Sequence, residues 1–139
     1  MRNHATIQDI KAIGELCLEA RDLSQHYSHL IEDYDKAADN LAAMIMSPRC
    51  YVGFNGDGVL IASASDAWWH SGLLITEHFF YARKNGLPLL REFMQWAKAF
   101  PGNNEIYVGA TFGGDKGAVA ERIYKRLGLT PTGTIWKVN

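Results

Sequence analysis

Several kinds of chemistry are in short supply in this sequence. Only two cysteines occur, Cys17 and Cys50. They form no cluster of metal-binding type and read as buried, reduced thiols. His26-x-x-His29 has the spacing of a half metal site but no third ligand in convincing register, so no metal is expected. No apolar run is long enough to span a bilayer and no signal peptide is seen, so a cytoplasmic protein without a membrane partner is expected. Charge of one sign is missing too. Fourteen Lys and Arg against fifteen Asp and Glu leave a net −1, which gives no case for a nucleic-acid partner. Nothing is repeated or low in complexity.

What is present is the material of an ordinary folded protein. The chain has 139 residues, 47% hydrophobic and 21% charged, which suits one domain, residues 1–139, with a real core.

The stretch from Leu73 to Phe100 organises the rest. Residues 73–82 are apolar and β-prone. Arg83-Lys84-Asn85-Gly86-Leu87-Pro88 is basic and contains glycine. An amphipathic helix follows, with Leu90, Phe93, Met94, Ala97 and Phe100 at helical spacing. The first amides of such a helix have no intrahelical partners and its dipole favours negative charge, so a strand feeding a cationic turn and a helix start can hold an anion. Arg83 and Lys84 add charge there, and Pro88 fits the first turn. The turn reads as a loop for a phosphorylated cofactor, against the plainer reading of a solvated strand–helix connection.

Around this stretch the elements follow in order. Residues 1–5 suit an edge strand. Thr6 and Asp9 suit a helix start, with Ile10, Ile13, Cys17 and Ala20 on one face to about Arg21. Residues 22–34 are polar and aromatic. A second helix is expected from about Asp35 to Met46, stopped by Ser47-Pro48. Strands at residues 50–54 and 59–67 flank Asn55-Gly56-Asp57-Gly58, a strong hairpin signal. Trp68 to Gly72 connects to the central strand. Later come a strand at 105–111, a helix opened by Asp115 and closed near Gly128, and a last strand at 134–138. The class is α/β, with a mixed α+β sheet and helices on both faces, and a parallel pair where the central strand crosses over.

This chain resembles the GNAT superfamily of N-acetyltransferases. The resemblance lies in Arg2-x-x-Ala5-Thr6-x-x-Asp9 at the start, in Arg83-x-x-Gly86-x-Pro88, similar to the family's pyrophosphate loop, and in Ala120-x-x-x-Tyr124-x-x-x-Gly128-Leu129, similar to its last helix. Pro88 departs from the family's Gly or Ala, and Gly117 stands where Asn is frequent. The resemblance implies a GNAT-like acyl-CoA N-acyltransferase fold, with acetyl-CoA as co-substrate lying against Phe79, Phe80, Tyr81, Arg83, Lys84, Asn85, Gly86 and Leu87. A backbone amide near Phe79 or Phe80 would meet the thioester oxygen. Tyr124 matches the family's acid, which protonates the leaving thiolate. On spacing alone the reading as a core-edge aromatic beside Ile123 and Leu127 wins, and it is the family match that favours the acid.

Glu77 is the base taken for the acceptor amine, because carboxylates on this strand serve that role in some family members. Its plain alternative is a half-exposed strand residue or a salt-bridge partner. In a regular strand His78 points to the opposite face, so only one of the two can meet the acceptor, and a bulge would upset that assignment. Asp66 is a weaker candidate. His26, Tyr27, Trp69 and His70 are expected to line the acceptor pocket, with packing or a partner surface as the other reading of the tryptophans. The expected function is direct acetyl transfer to a primary amine, small molecule or peptide, with a homodimer as an open option. The alternative is an inactive GNAT-like acyl-CoA sensor or interaction module.

Overall fold

In the computed structural model, turn chemistry sets the first hairpin. The Asn55 side-chain oxygen accepts the amides of Asp57 (3.0 Å) and Gly58 (2.9 Å), fixing a tight turn by an Asx motif. The structure describes residues 2–24, 31–109, 114–134, 136 and 138, with only the backbone of 114–117. The chain divides into two compact units, Met1–Gly109 and Ala110–Asn139.

The first unit opens with a short 3-10 turn, Ile7–Asp9, and helix α1, Ile10–Leu23. Helix α2 spans Tyr34–Met46, and its N-cap Asp33 accepts the Lys36 amide. Strands β1 (Cys50–Phe54), β2 (Gly58–Ala67) and β3 (His70–Ala82) follow, then helix α3 (Gly86–Lys98) and strand β4 (Glu105–Tyr107). The sheet order is β1-β2-β3-β4, with antiparallel pairs except for a parallel β3–β4. The expected first strand is reduced to a bridge of His4 with Gly53. Of the strand expected at 134–138, the described residues Thr134, Trp136 and Val138 are irregular.

Paired residues share a face of a sheet, so the register assigns the faces. Tyr51, Ala62 and Glu77 lie on one. Helix α3 covers it, with the Tyr51 ring 6.1 Å from Phe93 and 5.8 Å from Trp96. Leu89, Leu90, Phe93 and Ala97 are fully buried, and burying each large apolar side chain is worth about 1.5–3 kcal/mol. Val59 and Tyr81 pair on the other face, where Tyr81 reaches Glu19 of α1. Helix α2 packs beside α1 and against β1.

One carboxylate interrupts the apolar stripe of α3. Glu92 is only 8% exposed. It accepts the Asn3 amide with both oxygens at 3.1 Å and the Tyr51 hydroxyl at 3.2 Å. These bonds offset its desolvation and tie the N-terminal segment to α3.

The second unit contains helix α4, Gly114–Arg126. Gly128, at φ +82°, follows it. Gly128 N–H donates to Lys125 O and Leu129 N–H to Tyr124 O, a Schellman ending that supplies donors to the last carbonyls.

Candidate active site

Strand β3 is irregular at its centre. Ile61 pairs with Phe79 but the next residue, Ala62, pairs with Glu77. His78 is therefore an extra residue, a β-bulge. Its effect is a change of parity. Ile75 and Glu77 face α3, whereas Phe79 and Tyr81, which an even spacing would put beside them, pair with Ile61 and Val59 on the α1 face. The His78 ring also lies on the α1 face. Its Nε2 is 2.5 Å from the hydroxyl of Ser63, and Ser63 pairs with Thr76 there. Glu77 and His78 thus stand on opposite faces, as a regular strand would have them, and the bulge redirects the residues that follow.

Glu77 is mostly buried, and burial pushes its carboxyl up to about 7, although the Gly109 amide bond pulls the other way. That N–H donates to Oε2 at 3.0 Å. The parallel ladder with β4 covers Leu74–Glu105, Ile75–Ile106 and Thr76–Tyr107, so it stops one residue short of Glu77. A carboxyl that exchanges its proton near neutrality, beside a bulge and at the end of the β3–β4 ladder, is suited to general acid–base work.

The strand then runs into the cationic turn. Asn85 adopts a left-handed conformation (φ 57°, ψ 36°) directly before α3, and its side chain makes no capping bond. Asn tolerates this region better than most residues. The β1–β2 turn braces the loop, because Asn55 Nδ2 donates to Asn85 O at 2.9 Å and Arg83 N–H to Asp57 O at 2.9 Å. Gly86 packs closely, since a Cβ there would sit 3.1 Å from Ala82 Cβ and 3.2 Å from the Phe80 ring. An open groove of about 400 Å³ lies at this helix start, lined by Arg2, Asn3, Asn55, Asn85 and Pro88.

The loop's charge is not what the sequence implies. Arg83 Nε donates to Glu19 at 2.8 and 3.1 Å, and Glu19 also accepts the Tyr81 hydroxyl at 2.5 Å. The hydrogen bond and charge of Glu19 raise the Arg83 pKa further. Burial, then Glu19, pushes the Tyr81 phenol up to about 12. Glu19 and Asp57 together offset Arg83 and Lys84, so attraction for an anion rests on the α3 amides more than on net charge. Lys84 is exposed.

The sequence-expected residues fall into four groups. Glu77, Phe79, Phe80, Tyr81, Arg83, Lys84, Asn85, Gly86 and Leu87 run continuously from the bulge to α3. His26 and Tyr27 lie outside the described residues. Trp69 and His70 are at the far tip of the β2–β3 hairpin, where Trp68-Trp69 is the turn. At about 3.3 Å per residue, the tip is roughly 25 Å from the bulge along β3. Trp68 is 93% exposed and Trp69 58%. The His70 ring is 2.6 Å from Asn103 O, and a Cβ on Gly72 would fall 1.8 Å from that same oxygen. The tip is pinned to the 101–104 turn, so Trp69 and His70 stand apart along β3 from the run that begins at Glu77. Tyr124 is half-buried in the second unit. Cys17 and Cys50 are free, and burial lifts the Cys17 thiol to about 11, which keeps it unreactive. Among the described residues no cluster could hold a metal, and no helix is long and apolar enough to cross a membrane. Ser63 and Glu19 were not foreseen, because each acts through a partner far away in sequence.

Sheet order, two helices before the first full strand, a bulged central strand and a loop-to-helix turn are the GNAT fold. The solved structures that share it include three close in shape. One is an integron cassette protein from the mobile metagenome of Cole Harbour Salt Marsh, with TM-score 0.69 and 16% identity over 99% of this chain and 88% of that one. Another, described as a probable acetyltransferase, has TM-score 0.67 and 13% identity over 97% and 93%. The third is described as a predicted acetyltransferase from Clostridium acetobutylicum, solved with acetyl-CoA, with TM-score 0.65 and 14% identity over 97% and 92%. At such identities the likeness establishes the fold. No protein-family model and no curated protein matches the sequence.

Proposed function

We propose that this protein transfers an acetyl group from acetyl-CoA to a primary amine by direct attack. The observation that carries the reading is the continuous run from the β3 bulge through the braced Arg83–Leu87 loop to the uncapped start of α3. The diphosphate of the cofactor would meet the amides of Gly86 and Leu87, and the thioester would lie where β3 and β4 part. A backbone amide at Phe79 or Phe80 then stabilises the oxyanion. Removal of the amine proton is assigned to the strand beside the bulge, where Glu77, titrating near pH 7, and His78 stand on opposite faces. Tyr124 is kept as the acid for the thiolate on the pattern of its helix. The shared fold with a protein solved with acetyl-CoA supports the choice of cofactor.

The test is release of free thiol from acetyl-CoA with benzylamine, spermidine and glycinamide as acceptors. Amine-dependent release supports transfer. Binding of acetyl-CoA with no release from any of the three would favour the sensor. Tyr124→Phe should lower turnover roughly 10²–10⁴-fold where chemistry limits the rate, with acetyl-CoA affinity unchanged. An unaffected turnover would return Tyr124 to the core.

A further inference from the structure

Glu77 and His78 cannot serve one acceptor from the same side, and their surroundings distinguish them. The Glu77 carboxylate is mostly buried on the α3 face and already accepts the Gly109 amide. The His78 side chain is exposed on the α1 face, and the Ser63 hydroxyl fixes its ring by a 2.5 Å contact to Nε2. If Nε2 donates to Ser63 Oγ, the neutral imidazole keeps its lone pair on Nδ1, which makes no hydrogen bond to a described residue. The hydrogen bond made by one ring nitrogen sets the task of the other.

We propose that the acceptor amine approaches β3 from the α1 face and that His78 Nδ1 takes its proton, with Ser63 as the positioning residue. This rests on the acetyl-transfer reading. The amine nitrogen bonds to the thioester carbonyl carbon, the C–S bond breaks, the nitrogen's proton passes to Nδ1, and the thiolate leaves to be protonated in turn. His78, open to solvent, then returns its proton to water. Glu77 becomes a positioning residue that holds Gly109 and so sets where β4 leaves β3.

The experiment compares wild type, His78→Gln, His78→Ala, Ser63→Ala and Glu77→Gln, with benzylamine and spermidine as acceptors. His78→Gln should lower kcat/KM for the amine by roughly 10²–10⁴-fold, leave acetyl-CoA affinity and melting temperature unchanged, and remove the acidic limb of the pH profile. Ser63→Ala should shift that limb and lower the rate less. Added imidazole should restore part of the rate of His78→Ala. An active wild type with an unaltered rate and pH profile in His78→Gln overturns the proposal, more so if Glu77→Gln removes the limb instead. A wild type that acetylates neither amine overturns the transfer reading, and this proposal with it.

Discussion

The two ends of β3 are built differently. At its C-terminal end the strand runs into a loop held by Asn55, Asp57 and Glu19 and closed against α3 at Gly86. At its N-terminal end the strand starts at a two-tryptophan turn whose rings meet edge to face at 5.7 Å with much of their surface in solvent. The bulge lies between, nearer the braced end. Tight bracing of a polar loop over a helix start is what ligand binding asks of a scaffold. The tip is pinned through His70 and Gly72 to the 101–104 turn and has no such arrangement. Function is therefore expected to be sensitive from Glu77 onward and indifferent at the tip.

The largest effect should come from Glu77 itself. Its folded carboxyl is raised to about 7 from 4.5, so the folded chain holds a proton that the unfolded chain releases. The stability this gives is complete below about pH 4.5 and is lost as pH rises through 7, on the order of 3 kcal/mol in all. Glu77→Gln should match the wild type near pH 4 and melt higher than it at pH 8. Parallel melting curves across that window would show that Glu77 is solvated. The next effect concerns the loop. Acetyl-CoA at ~100 times its dissociation constant should stabilise the wild type by about 2.7 kcal/mol, a rise of several degrees for a chain of this size. Gly86→Asp brings a side chain against Ala82 and Phe80 and a negative charge to the helix start, so it should start less stable and show no rise. A normal rise in that variant would move the cofactor elsewhere.

Two smaller effects sharpen the contrast. Glu19→Gln frees the Arg83 charge and should tighten acetyl-CoA roughly two- to fivefold at low salt, the scale of an exposed ion pair, while leaving a pantetheine thioester without phosphates unaffected. Weaker binding would mean that Glu19 orients Arg83 toward the ligand. Trp69→Ala should change the Michaelis constants of amine and acetyl-CoA by no more than about twofold, as for most exposed substitutions. A larger rise for the amine alone would bring the tip back into the acceptor site.

Much of this was legible in the sequence, because local rules govern it. Asn55 to Gly58 announced the hairpin, the spacing of Leu90, Phe93 and Ala97 the buried face of α3, and Gly128 the end of α4. The run from Glu77 to Leu87 was legible as a site because strand, turn and helix start are contiguous. What stayed hidden depends on partners distant in sequence. The bulge at His78 is set by the register with β2, and nothing in residues 73–82 announces an extra residue. Arg83 looked like free charge because Glu19 lies 64 positions away. The burial of Glu92 depends on Asn3, 89 positions away.

The central claim is that the loop from Arg83 to Leu87, at the start of α3, holds acetyl-CoA. Calorimetric titration of the wild type with acetyl-CoA tests it most directly. The account predicts saturable binding of one acetyl-CoA per chain, lost in Gly86→Asp even at temperatures where that variant is folded. Absence of binding at millimolar acetyl-CoA would contradict it, and would end the transferase reading and the sensor alternative together.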